Sequence, residues 1–330
     1  MTTDTLPGNF LVHIPTMEDV EAVFELINAC DVATDGMPDH TLDEIRSYWQ
    51  SPEFNLATDS WMVVTPEGQL VGYGDIDHEG YGKMFSFIRV LPEYRKRGIE
   101  THLLRLVEAR AVQRIAEVPA TVRVALYSWS SHADKTMAHL LEQEGFKYVR
   151  SFWRMEMVMD WMPQAPEWPD GITVRTLIAG KEERAVFEMI EEAFHDHWGH
   201  TPTTFEQWAR WQLREEYFDP TLWFLAFDGD KLAGGSLCMY EKDLDLGWVG
   251  QIAVRRPWRR KGLGMALLLH SFGEFFRRGI YKVGLGVDSQ NLTGATRLYD
   301  RAGMHAVLQH DTYEKELRPG EELRTQSIAV

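Results

Sequence analysis

The segment of this sequence best equipped for chemistry is Gln251-Ile-Ala-Val-Arg-Arg-Pro-Trp-Arg-Arg-Lys-Gly-Leu-Gly-Met-Ala-Leu267. An apolar run that reads as a strand ends at Val254, five basic residues follow between 255 and 261, and Gly262 and Gly264 then open a helical pattern. The first turn of a helix presents unpaired backbone N–H groups and the positive end of the peptide dipoles. Glycines let a phosphate approach those N–H groups, and the basic side chains add charge. The combination reads as a pyrophosphate seat. It lacks the Gly-Lys-Ser/Thr of a nucleoside-triphosphate loop and the GxGxxG spacing of a dinucleotide fold, so neither ATP nor NAD is expected. The alternative is a merely solvated basic turn. The placement between strand and helix favours the ligand site.

Arg259-Arg260-Lys261-Gly262-Leu263-Gly264 resembles the Arg/Gln-x-x-Gly-x-Gly/Ala motif of the GNAT superfamily of acyl-CoA-dependent N-acetyltransferases. The stretch from Leu285 through Asn291, Ala295, Leu298 and Tyr299 to Gly303-Met304 resembles that superfamily's second signature. Together the two cover most of 172–317. The resemblance implies acetyl-CoA as co-substrate and an amine as acceptor; no metal is expected, on the histidine spacing weighed below. It places the pantetheine arm between two splayed strands, against the backbone of Ile252, Ala253 and Val254. The N–H groups from Arg260 through Lys261, Gly262, Leu263 and Gly264 to Met265 would hold the pyrophosphate, and Asn291 would touch the cofactor arm.

The family reaction is direct attack of an amine on a thioester, which sets three tasks. The oxyanion needs a donor, assigned by resemblance to a strand N–H near Val254. The leaving thiolate needs a proton, and a phenol with a pKa near 10 can supply it. Tyr299, four residues before Gly303, stands where the family often has this acid. Read without the family, Tyr299 is a core aromatic on the face of Ala295, Leu298 and Ala302. The amine needs a base, and the position six residues before Val254 is Trp248, which cannot titrate. Glu241, Asp243 and Asp245 are nearby alternatives, as are His195, His197 and His200, because an ordinary imidazole titrates near pH 6.5; water is another. His-x-His without a clear carboxylate third ligand is weak evidence for zinc. A second class of function is a non-catalytic acyl-CoA sensor, in which Tyr299→Phe would change nothing.

These residues need a scaffold, and the chain supplies one twice. Ala22-Val-Phe-Glu-Leu-Ile27 recurs as Ala185-Val-Phe-Glu-Met-Ile190, Trp61 and Leu70-Val-Gly72 as Trp223 and Leu232-Ala-Gly234, and Arg95-Lys-Arg-Gly98-Ile as Arg259-Arg-Lys-Gly262-Leu. Glu144-Gly-Phe146 recurs as Ala302-Gly-Met304. Four matches in one order at offsets near 160 indicate a duplicated domain. Trp161-Met-Pro-Gln-Ala-Pro-Glu-Trp-Pro-Asp-Gly171 separates the copies, because three prolines and a glycine cannot continue a helix or central strand. The expected division is a degenerate domain over 1–160, a linker over 161–171, a catalytic domain over 172–317 and a tail over 318–330. Each copy reads as a short strand, two helices, three strands with turns at Pro66-Glu-Gly68 and Asp228-Gly-Asp230, a long amphipathic helix (98–115; 262–278), a strand, a helix and a final extended segment. Strands outnumber helices, so the fold class is mixed α/β (α+β).

The first copy departs from the pattern. Glu100 stands where the last glycine of the turn belongs, and its charge and bulk oppose a pyrophosphate. Counting back from Gly145, Leu141 replaces the phenol and Ala133 replaces Asn291, so this copy is expected to be catalytically dead, either binding acyl-CoA weakly or serving only as scaffold and as a wall of the acceptor site. The chain has 330 residues and net charge −16. Neither half is basic, which excludes the usual nucleic-acid binder. No apolar run approaches the roughly 20 residues of a membrane helix, and the first residues carry no secretory pattern. Cys30 and Cys238 cannot build a disulfide framework, so a cytoplasmic protein with reduced core thiols is expected, either a monomer or a homodimer.

Overall fold

The structure is a computed structural model that describes residues 6, 8–214, 217–291 and 294–325. Residues 326–330 of the expected tail lie outside the described residues. Among the described residues two compact units form, one from the residues up to Ser151 together with Leu308–Leu323, the other from Phe152–Val307 with Arg324 and Thr325.

The first unit runs β1 (Leu11–His13), α1 (Val20–Asp35), α2 (Leu42–Trp49), α3 (Leu56–Asp59), β2 (Ser60–Val64), β3 (Leu70–Gly80), β4 (Lys83–Val90), α4 (Ile99–Arg114), β5 (Val124–Ser131), α5 (Lys135–Gln143) and the start of β6 (Lys147–Val158). In β4 the alternation places Met84, Ser86, Ile88 and Val90 inside, as a strand period of two requires. In α4 Ile99, Leu103, Leu104, Val107 and Ala111 form the buried stripe. That stripe packs with Val63, Val71 and Ile88 of the sheet. Each such side chain contributes about 1.5–3 kcal/mol on leaving water.

The second unit runs β7 (Ile172–Thr176), α6 (Glu183–Phe194), α7 (Phe205–Gln212), β8 (Trp223–Asp228), β9 (Lys231–Glu241), β10 (Leu246–Val254), α8 (Leu263–Arg277), β11 (Lys282–Asp288), α9 (Ala295–Arg301) and the start of β12 (His305–Arg318). Helix α6 buries Val186, Met189, Ile190 and Ala193. Phe275 of α8 lies so close to β10 that a Cβ on Gly247 would meet its ring at 2.7 Å, so only glycine fits there.

The sheets differ from the expected division at two strands. The last part of β6 pairs antiparallel with β11, Phe152 opposite Asp288 and Val158 opposite Lys282. Most of β12 pairs antiparallel with β5, His310 opposite Ser131 and Arg318 opposite Val124. Residues 152–160 therefore group with the second unit and 308–317 with the first. The choice of sheet is a non-local pairing event that no local pattern encodes.

Each sheet opens at its centre. The parallel pair β4–β5 is in register only from Lys83–Ala125 to Ser86–Ser128. The parallel pair β10–β11 is in register only at Gly247–Val283 and Trp248–Gly284. Beyond those points the strands part. A bulge between Val249 and Gln251 interrupts β10 against β9, and bulges bend and re-aim a strand. Strand β4 has no such break from Met84 to Val90. Both cysteines are buried free thiols, pushed up to about 11 by burial. No helix among the described residues is long and apolar enough to cross a membrane.

Candidate active site in the second unit

The basic turn joins the open end of β10 to α8. Arg260 adopts φ +62° and Gly262 φ +88°. A non-glycine residue in the left-handed region stores on the order of 1–3 kcal/mol, and such positions cluster at functional sites. The four arginines and the lysine divide the work. Arg259 braces the turn, its Nε donating to the Val254 carbonyl at 3.0 Å and its Nη2 to the Ala193 carbonyl at 3.0 Å. Arg256 donates to both oxygens of Asp196 at 2.8 Å, and that hydrogen bonding holds the Asp196 carboxyl below its ordinary range. Arg260 and Lys261 are exposed and carry no ion pair among the described residues. These two, with the N–H groups of the turn, are the groups available to an incoming phosphate.

The edge of β10 is equally asymmetric. Arg255 N–H donates to Ala233 O at 3.0 Å, in register with Val254–Gly234, Ala253–Gly235 and Ile252–Ser236. Bonded and non-bonded pairs alternate along an antiparallel ladder. Ala253 therefore turns its backbone groups toward β9, and Ile252 and Val254 turn theirs toward the gap beside β11. Since Arg259 occupies the Val254 carbonyl, the N–H groups of Ile252 and Val254 and the Ile252 carbonyl remain. Gly264 lies in the first turn of α8, where an added Cβ would meet Leu298 at 3.4 Å and Val254 at 3.8 Å.

Tyr299 is on α9 and its ring is 7% exposed, in the cluster that holds Leu285, Val287 and Leu298. Burial pushes the phenol up to about 12. Its hydroxyl makes no hydrogen bond among the described residues, so a donor stands ready without a structural bond to break. Asn291 caps the turn after β11, its N–H donating to Asp288 O at 3.0 Å.

The candidate bases are scattered. Asp243 and Asp245 are exposed in the β9–β10 turn, and Asp245 accepts from the Tyr240 hydroxyl at 2.7 Å. That turn is eight residues of strand away from Val254, about 26 Å at the usual rise, and Glu241 lies at the same end. Trp248 lies over β11, where a Cβ on Gly284 would meet its ring at 3.0 Å and the Glu156 Cγ at 3.3 Å. Glu156, on β6, is thus the carboxylate beside the tryptophan. It accepts from Arg154 Nε at 2.7 Å and pairs with Lys282 at 2.9 Å. Sequence reading missed it, because it lies in the first copy of the repeat and reaches this site only through the β6–β11 pairing.

The histidines sit in the loop after α6. Thr325 ties this loop down, accepting from Gly199 N–H at 2.7 Å and donating to His200 O at 3.0 Å. His195 is exposed. His197 packs on Phe194, ring centroids 4.4 Å apart, and His200 lies 3.7 Å from Glu191. Burial lowers both His197 and His200 below the usual imidazole range, which favours the neutral form of each ring.

Residues 20–129 and 184–304 each match the acetyltransferase (GNAT) family. A GCN5-related N-acetyltransferase from Sphaerobacter thermophilus is 37% identical, with TM-score 0.86 over 98% of this chain and 100% of that one. The mycothiol acetyltransferase of Catenulispora acidiphila is 28% identical over 307 residues, 89% of this chain and 94% of its own. A tandem GNAT protein from the clavulanic acid biosynthesis pathway shares the fold at TM-score 0.72 and 15% identity, over 94% of this chain and 100% of that one. The chain belongs to the GNAT family, carries its domain twice, and is an acetyl-CoA-dependent N-acetyltransferase.

Proposed function

We propose that the second unit performs the reaction, moving an acetyl group from acetyl-CoA to the amine of a small molecule or peptide, with Tyr299 as the acid. The observation that carries this reading is the turn at the mouth of the β10–β11 gap, with Arg260 and Lys261 unpaired and the Ile252 and Val254 N–H groups turned toward the opening. In this reading the turn N–H groups from Arg260 to Met265 hold the pyrophosphate and Asn291 contacts the arm. A strand N–H near Val254 receives the charge that develops on the acyl oxygen. Acetyl-CoA supplies the activated acyl carbon: the amine nitrogen bonds to it as the carbon–sulfur bond breaks. Tyr299 gives its proton to the departing sulfur. At about 12 the phenol is fully protonated at neutral pH, and its recovery of a proton after donation is strongly downhill.

The amine proton goes to a loop imidazole, His197 or His200, or to water, since Trp248 cannot accept it and Glu156 is committed to two cations. The first unit has Glu100, Leu141 and Ala133 at the corresponding places, and Leu141 is fully buried. We assign that unit no chemistry. The acceptor class is open between small-molecule and peptide amines, and the relatives' name puts a mycothiol-type acceptor first in any panel. The test is thiol release from acetyl-CoA against a panel of amines, with Tyr299→Phe alongside. Turnover with one acceptor class, reduced at least about tenfold in the variant (about 1.4 kcal/mol of barrier), supports the assignment. Full turnover in Tyr299→Phe removes Tyr299 as the acid.

A further inference from the structure

The first unit also contains a cleft, of about 480 Å³. Its walls are the parted strands, through Ile88 and Val90 on one side and Trp129 and Ser130 on the other, and its mouth is the turn at Lys96 and Gly98. This turn is the conformational twin of the one in the second unit. Lys96 has φ +62° and Gly98 φ +85°, against +62° for Arg260 and +88° for Gly262. The strand edge is also alike. Leu91 N–H donates to Val71 O at 3.0 Å, so alternation along the ladder turns the backbone of Ile88 and Val90 toward the gap. The Val90 carbonyl accepts from Arg95 Nε at 3.3 Å and the Ile88 carbonyl from Arg89 Nη1 at 3.2 Å, so the N–H groups of Ile88 and Val90, with the turn, are what the backbone offers an extended amide chain ending in a diphosphate.

One group contradicts that use. Glu100 lines the cleft, and its Oε1 accepts from the Lys96 N–H at 3.3 Å. The carboxylate folds back onto the turn's own donor. Of the three other carboxylates that line the cleft, two are paired with arginines. Arg95 pairs with Asp134 at 2.9 Å, and Arg89 with Asp31 at 3.0 Å. Asp35 accepts from Ser131. Glu100 is the anion that remains on the turn.

We propose that Glu100 is a built-in anion seated where a diphosphate would otherwise bind, and that it keeps the first unit's cleft closed to coenzyme A. The inference rests on reading the Arg260–Met265 turn as a phosphate seat, because the two turns are compared. The test is calorimetric titration of coenzyme A, the free thiol, into the wild-type chain, Glu100→Gly and Glu100→Ala. The alanine variant keeps helix propensity should glycine loosen α4. The expected stoichiometry is one per chain in the wild type and two in both variants. In the Lys261→Ala background the site gained by Glu100→Gly remains. Two sites in the wild type, or one in both variants with unchanged circular dichroism, overturn the proposal. A wild type that binds none while Glu100→Gly binds one would support the proposal and sink the reading of the second unit. No binding in any form overturns it.

Discussion

Gly264→Glu transplants the carboxylate of the first copy into the second turn, and it separates charge from bulk and from folding. A Cβ at Gly264 meets Leu298 at 3.4 Å and Val254 at 3.8 Å, both ordinary contacts, so Gly264→Ala fits and serves as the steric control. The glutamate would reach back to the turn as Glu100 does at 3.3 Å. A unit charge roughly 5 Å from a doubly charged diphosphate, at an effective dielectric of about 40–80 for this half-buried position beside solvent, costs roughly 1.5–3.5 kcal/mol. That predicts a rise in the acetyl-CoA KM of about 10- to 300-fold, while Gly264→Ala stays within about threefold. The assay is initial-rate thiol release at fixed acceptor and varied acetyl-CoA. Raising ionic strength from low salt should shrink the defect, because exposed charges are screened. Stability should not fall, since an acidic residue in the first turn complements the helix dipole by about 0.3–1 kcal/mol and replaces a glycine. A glutamate variant whose KM stays within threefold of wild type refutes the phosphate seat. An alanine variant as damaged as the glutamate variant refutes the electrostatic account.

Three further outcomes follow from the same structure. Tyr299→Phe should leave Tm nearly unchanged, because the lost hydroxyl has no partner, and with the phenol at about 12 the wild-type rate should show no loss from Tyr299 up to pH 10; a pH-rate profile and a melt decide both. Burial pushes the Asp75 carboxyl from 3.8 up to about 8. The folded state then holds a proton that the unfolded chain has released, so stability falls as pH rises from about 4 to 8, by at most about 1.4 kcal/mol per pH unit. Asp75→Asn should stabilise the protein increasingly across that window in denaturant titrations, and a constant difference would refute the assignment. Asp59, 1% exposed, pairs with Arg110 Nε at 2.7 Å and Arg114 Nη1 at 3.1 Å. Asp59→Ala should cost roughly 3 kcal/mol by stranding two arginines, read as a lower denaturation midpoint.

The parts of the site legible in the sequence were those set by short-range physics. Gly262 takes a left-handed turn, the strand ends at Val254 and the helix begins beside it, so the glycine-basic turn could be placed between strand and helix from spacing alone. The four repeated segments gave the duplication for the same reason. Charge type could be read but not its employment. Arg259 and Lys261 look alike in the turn, yet Arg259 is spent on the Val254 and Ala193 carbonyls and Lys261 is unpaired. Asp243, Asp245 and Glu241 were near Trp248 in sequence, yet β10 extends between them and the turn.

What the sequence alone determined is thus the local chemistry: two copies of one domain, a glycine-basic turn in each, a phenol in one and leucine in the other, and a carboxylate at position 100. Tertiary structure decided the rest. It sent β6 to β11 and β12 to β5, brought Glu156 beside Trp248, parted the central strands, and folded Glu100 onto its own turn. Backbone torsions and helix starts depend on a few neighbouring residues, whereas strand pairing and side-chain partnership depend on which distant segments share an edge.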